Sequence, residues 1–266
     1  MHMLGRILGS LQNRGIAGFL KHASGHVLNL MVKSNRHAGH PSIGELAEKL
    51  EIISCDVSQI LSLLDVTSDI ADEISGYERE FDHLENRLSE VYQSSELVAP
   101  VNWGLERKSS LLMYITCRLK KPIAVCETGV ANGHSTYFLC NAIKKNGLGH
   151  VYSIDVNSNV GSLLSDSERE HWDLNVLARP YKASIETIFK GLPELDIFIH
   201  DSDHTYFWMM HELGLGYGKL KPGGLLMCDD VDLSNGFLDF CDKSSIKASV
   251  LIENRKFFGA AIKAVS

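Results

Sequence analysis

Between Val125 and Thr136 the chain reads Val-Cys-Glu-Thr-Gly-Val-Ala-Asn-Gly-His-Ser-Thr, an apolar run that passes through two glycines into a segment of helical period. This order suits a strand that turns tightly into a helix. Gly129 permits the sharp turn and the close approach of a ligand, and Gly133 lets the backbone reach that ligand where the helix begins. The helix start, with the hydroxyls of Ser135 and Thr136, favours an anionic group, a carboxylate as well as a phosphate. The spacing is G-x-x-x-G and not the G-x-G-x-x-G of dinucleotide enzymes. Glu127, at the strand end, suits a ligand carrying an ammonium or sulfonium and would repel a pyrophosphate. Asp155 closes the next apolar run, 22 residues after Gly133, where an acid meets ribose hydroxyls. A glycine turn alone occurs in many α/β folds; the acids at two successive strand ends narrow the choice.

From Lys121 onward, apolar runs at Pro122–Cys126, Val151–Val156, Ile197–Ile199 and Gly224–Cys228 alternate with helical stretches at His134–Lys145, Ser184–Lys190 and Tyr206–Leu220. That alternation indicates βαβ units and a mostly parallel sheet. Ala248–Glu253 and Phe257–Lys263 flank Asn254-Arg255-Lys256 and predict a terminal hairpin whose last strand is antiparallel. Residues 97–266 therefore read as a doubly wound, Rossmann-like α/β domain.

Residues 1–96 read as a helical region serving as a lid, a dimerisation element or a docking element. Apolar residues in 4–33 recur at helical spacing, weakened by five glycines at about 1 kcal/mol each. Ser42 and Glu45 predict a capping box opening a helix through Leu50, and a second helix covers Val57–Ile74. Tyr77, Phe81, Leu84, Leu88 and Val91 then form a stripe across two heptads, suited to packing on its own domain or to a dimer seam. Pro100 ends this region.

Composition excludes several classes. At 44% hydrophobic and 22% charged residues the 266-residue chain can bury a core. No apolar run approaches the ~20 residues that span a bilayer. The six cysteines form no CxxC pair and read as reduced thiols of a cytoplasmic protein. The net charge is −7, yet residues 1–44 hold five basic residues and no acidic one. Such an opening suits docking on acidic helices, within a subunit or across a homo-oligomer, ahead of peripheral membrane contact through residues 1–35. The acidic body lacks a basic stripe, which speaks against nucleic acid.

Taken together, Glu127-Thr-Gly129-x-x-x-Gly133-x-Ser135, Ser153-Ile-Asp155 and Leu220-Lys-Pro-Gly-Gly224 resemble class I S-adenosylmethionine-dependent methyltransferases over roughly residues 100–266. Within that class the resemblance is closest to catechol-type and macrocin-type small-molecule O-methyltransferases. It implies S-adenosylmethionine as cofactor, held by Glu127, Gly129, Gly133 and Ser135, with Glu127 and Gly129 bordering its amino-acid part. It further implies Asp155 at the ribose and Ser184 near the adenine.

Two acidic motifs, His200-Asp201-Ser202-Asp203-His204 and Cys228-Asp229-Asp230-Val231, end successive predicted strands. In an open α/β sheet such ends converge on the ligand crevice. Asp201, Asp229 and Asp230 would repel one another there unless a cation neutralised them, and a hard divalent ion, Mg²⁺ first, is the expected occupant. It would hold a substrate hydroxyl and lower its pKa. The resemblance agrees, since its metal-dependent members carry one acid after this strand and an acidic or amide pair after the next. Asp203 is the expected base, with His204 in support. Catechol-type enzymes place a lysine where His204 stands, whereas sugar-type relatives have an Asp-x-Asp-His run. A His-ligated centre built from His200, His204 and His211 is disfavoured, because His200 faces away from Asp201 on a strand. The implied activity is magnesium-assisted O-methylation of a small-molecule hydroxyl, a sugar or glycosylated natural product before a catechol. Its rivals are a metal-dependent hydroxylase-type relative and a non-enzymatic cofactor-binding or membrane-associated assembly protein.

Overall fold

Strands that are buried on both faces need helices on both sides, and Ala124–Thr128 is buried along its whole length. The computed structural model describes residues 40–41, 51–53 and 71–265. In chain order its elements are β1 (Glu51–Ile53), α1 (Ala71–Ser94), α2 (Arg107–Lys120), β2 (Ala124–Thr128), α3 (His134–Asn146), β3 (His150–Asp155), α4 (Asp166–Arg169) and β4 (Trp172–Val176). There follow α5 (Tyr181–Gly191), β5 (Leu195–His200), α6 (Tyr206–Lys219), β6 (Leu220–Cys228), α7 (Gly236–Ser244), β7 (Ala248–Ile252) and β8 (Phe257–Ile262). A 3-10 turn at Val101–Trp103 precedes α2.

The described strands form one sheet in the order β1-β7-β8-β6-β5-β2-β3-β4. Every pairing is parallel except the two made by β8, which runs against β6 and β7. The order reverses beside β2, between β3 on one side and β5 on the other, so the ligand crevice lies over the C-terminal ends of these strands. The antiparallel terminal hairpin is as the sequence predicts. Two strands escape sequence reading. Trp172–Val176 is an edge strand broken by Asp173 and Asn175, and Glu51–Ile53 is three residues long and pairs with β7.

One core layer joins α1, α2 and α3 to the sheet; the other gathers α5, α6 and α7 on the opposite face. The α1 stripe is spent on the protein's own domain. Tyr77, Phe81, Leu84 and Leu88 are buried, and Phe81 stacks on Phe138 of α3 with ring centroids 4.6 Å apart. Glu80 fastens the same helix by accepting from Tyr114 Oη at 2.8 Å and pairing with Arg118 at 3.0 Å. The helices expected over 4–33 and 42–50, and most of that over 57–74, lie outside the described residues. Among the described residues no helix is long and apolar enough to cross a membrane. Cys117, Cys126, Cys140, Cys228 and Cys241 are buried free thiols, and burial pushes Cys117 and Cys241 up to about 12.

Candidate functional site

The glycine loop closes over the sheet as a set of backbone ties. Gly129 has φ +85°, and its N–H donates to Ile154 O at 2.9 Å. A Cβ placed there would lie 2.0 Å from the carbonyl oxygen of Asp201. Gly133, at φ +91°, stands at the N-cap of α3. Asp155 accepts the Val130 N–H on one carboxylate oxygen and the Asn157 N–H on the other, both at 2.9 Å. An ionised carboxylate has about four acceptor positions, so Asp155 keeps capacity for two hydroxyls. Ser184, in the first turn of α5, accepts from the Ala178 N–H at 3.0 Å and marks the loop after β4. Asn132, which the sequence did not single out, ties the loop to the segment before α2. Its Oδ1 accepts from the Val98 and Ala99 N–H groups, and its Nδ2 donates to Ala99 O at 2.8 Å.

Glu127 plays a different part from its neighbours. Its side chain is fully buried and accepts hydrogen bonds from Ser135 at 2.7 Å, from Ser153 at 2.6 Å and from Thr136. Burial nonetheless pushes its carboxyl above the usual range, against the pull of the three hydroxyls. Ser135 is thereby committed to Glu127, and the pair stiffens the first turn of α3 from beneath.

Asp201, Asp229 and Asp230 do converge, as the strand ends require. A counter-charge for them, which the sequence did not single out, is a side chain of the terminal hairpin. Lys256, only 3% exposed, hydrogen-bonds Asp229 through its ammonium, approaches Asp230 Oδ2 at 3.8 Å and donates to Trp103 O at 3.3 Å. Burial opposes that charge, yet Asp229, Asp201 and Asp230 together hold Lys256 above the ordinary lysine range. Burial and the adjacent Asp229 keep Asp201 well above the usual carboxylate range. Among the described residues no group of three or more His, Cys, Asp or Glu side chains is arranged to hold a metal ion. The donor set as it stands therefore does not fit magnesium, because an ammonium occupies the face such an ion would need.

His204 and Asp203 part ways one residue apart. His204 Nε2 lies 3.5 Å from Asp230 Oδ2 and 3.8 Å from Asp201 Oδ1, inside the crevice. Asp203 instead accepts the Thr205 N–H at 3.0 Å, at the start of α6, and burial raises its carboxyl. The three histidines considered for a metal do not meet as ligands. His200 Nδ1 bonds Glu212 at 2.7 Å in a buried network with Thr128 and Ser202, while His211 faces Glu186 at 3.5 Å.

A family model described as a methyltransferase domain matches residues 126–231. No curated protein matches the chain. Among solved structures, the O-methyltransferase TomG from Streptomyces achromogenes, involved in tomaymycin synthesis and bound to SAM, is 16% identical. That match covers 78% of this chain and 95% of the other, with a TM-score of 0.52. Cofactor-bound Rv0187 from MTB is 12% identical over 68% of this chain and 90% of its own, with a TM-score of 0.53. The SAH-bound Podospora anserina methyltransferase PaMTH1 is 15% identical over 75% and 97%, with a TM-score of 0.51. The fold is that of the class I methyltransferases.

Within this class I sheet β8 runs opposite to its neighbours, so its first end lies at the edge where the parallel strands finish. The Val231 N–H donates to Phe257 O at 3.0 Å and sets that edge, which delivers Lys256 to the acids. Another residue outside the expected set lies near Lys256. His134, the first residue of α3, is mostly buried, with Tyr92 Oη 3.0 Å from Nδ1 and Ser110 Oγ 3.2 Å from Nε2. Burial, then the nearby Lys256 ammonium, holds its imidazole down to about 4 from an ordinary 6.5. The ring thus stays neutral in the fold while the unfolded chain takes a proton below pH 6.5. Its contribution to stability is present above that pH and lost as pH falls toward 4, by about 2–3 kcal/mol. Urea unfolding at pH 7.5 and 4.5 is expected to show His134→Gln losing that much less stability than the parent. Parallel losses would mean that the ring protonates freely.

Proposed function

We propose that this chain is an S-adenosylmethionine-dependent O-methyltransferase acting on the hydroxyl of a small molecule, with a sugar or glycosylated natural product favoured over a catechol. The observation that carries the reading is the placement of His204, an imidazole beside Asp230 and Asp201 at the same strand edge as the Gly129 loop. Support for the cofactor comes from the glycine turn at Gly129 and the spare acceptor capacity on Asp155. TomG, described as an O-methyltransferase in complex with SAM, shares the fold and supports the same choice.

When bound, S-adenosylmethionine supplies a methyl group on a sulfonium, which an attacking oxygen takes while the C–S electron pair returns to sulfur. The chain's own part is positioning and proton handling. The loop from Gly129 to Gly133 and the Asp155 carboxylate fix the cofactor side of the crevice. His204 accepts the proton of the acceptor hydroxyl at Nε2, and Asp230, 3.5 Å away, stabilises the imidazolium that forms. Asp203 holds the start of α6 so that His204 keeps its direction. This reverses the order of preference that the sequence suggested. The sugar preference rests on the histidine at this position, where catechol-type enzymes carry lysine.

Calorimetry with S-adenosylmethionine tests the first half, and absence of binding at millimolar cofactor would sink it. His204→Gln is expected to lower kcat roughly 10²–10⁴-fold and remove the acid limb of the pH–rate profile, with cofactor affinity unchanged. Asp203→Asn should cost less than tenfold and keep that limb. The opposite pattern would return the base to Asp203.

A further inference from the structure

We infer that Lys256 is the resident cation of this crevice, seated where three carboxylates would otherwise require a divalent ion, and that methyl transfer here runs without one. The ammonium donates to Asp229 and to Trp103 O, and Asp230 Oδ2 adds a charge contact at 3.8 Å. Its side chain is 3% exposed, so bulk water has little part in holding the charge. Asp229 and Asp230 are both buried at one strand end, and a cation beside them offsets the cost of holding charge there. That cation arrives covalently attached, on the turn of the hairpin.

The turn is clamped on both sides of Lys256. Glu253 accepts the Lys108 and Ser109 N–H groups at 2.8 and 2.7 Å, closing the first turn of α2. Arg255 pairs with Glu106 at 2.8 Å. The lysine is thereby held in place by its neighbours and is not a surface side chain folded inward. A covalent cation also fixes the stoichiometry of the site, so its charge does not depend on the supply of metal.

The inference rests on the proposed function for its activity arm only; the metal-binding arm stands apart from it. Titrating Mn²⁺ alone into the intact protein by calorimetry is expected to show no single-site binding at 1 mM. Lys256→Ala, which empties the ammonium position and leaves the acids, is expected to bind one Mn²⁺ at least tenfold more tightly than the parent. Should the parent bind Mn²⁺ as tightly as the variant, or the variant bind none, the inference is overturned. If Lys256→Ala does not fold, the parent titration still decides, since one-site micromolar binding by the parent contradicts a resident lysine. In the activity arm, exhaustive chelation should leave methyl transfer within twofold of its starting rate, and its loss with recovery on added Mg²⁺ would overturn the inference. Absence of all methyl transfer would count against the proposed function and leave the Mn²⁺ result standing.

Discussion

Gly129→Ala is expected to abolish cofactor binding and to lower stability by about 3–4 kcal/mol, two costs with separate origins. The backbone at φ +85° is one that L side chains avoid, at a cost of about 1–2 kcal/mol. The added methyl would also come within 2.0 Å of the Asp201 carbonyl oxygen, a backbone atom that cannot swing away as a side-chain tip can. Asp201 is fixed in turn, since its N–H donates to Thr128 O at 2.9 Å. The strain therefore moves the end of β5, and with it the Asp201 carboxylate beside His204; overpacking of this kind adds about 1–3 kcal/mol. Gly223 provides the control, with φ +75° but Val265 Cγ2 as its nearest neighbour at 3.9 Å. Gly223→Ala should cost only the backbone share, about 1–2 kcal/mol. Urea denaturation of both variants measures the difference, and equal losses would show that close approach at Gly129 is not the constraint.

The parts of the site that were legible in the sequence are those that end an apolar run. Glu127, Gly129, Asp155, Asp201 and Asp229 each follow a buried stretch, and parallel topology carries all such ends to one edge. Lys256 was not legible for the same reason in reverse. It follows Asn254 and Arg255 in what reads as an exposed turn, and only the antiparallel direction of β8 brings that turn to the ligand edge. The roles of Asp203 and His204 could not be divided from sequence, because adjacent residues in a loop have no fixed period to separate them. The Tyr77 to Val91 stripe showed that a face of α1 is buried but not against what; Phe138 and Tyr114 answer that question with partners far along the chain. Strand β4 stayed hidden because an edge strand with polar alternate residues lacks the apolar density of a central one.

Glu127 carries the other large effect, and its sign with pH discriminates between two accounts of a buried carboxylate. Removing the side chain in Glu127→Ala leaves the hydroxyls of Ser135, Thr136 and Ser153 without their shared acceptor, in a fully buried space. Ser153 is held from its other side by Trp172 Nε1 at 2.6 Å, so the network is not free to collapse. Hydrogen bonds of this kind contribute about 1 kcal/mol each, so losing the three leaves a cost of about 3 kcal/mol. Glu127→Gln keeps the shape and one acceptor oxygen, and the hydroxyls can accept from its amide, so at low pH it should stand within about 1 kcal/mol of the parent. Burial raises the Glu127 carboxyl above its ordinary 4.5, so the fold favours the protonated form. The parent's advantage from this group is complete below pH 4.5 and drains away as pH rises through the folded value. Glu127→Gln, which does not ionise, should therefore gain on the parent between pH 4.5 and 8 when both are unfolded in urea. A variant that instead falls behind as pH rises would show that the three hydroxyls outweigh burial and hold the carboxylate ionised.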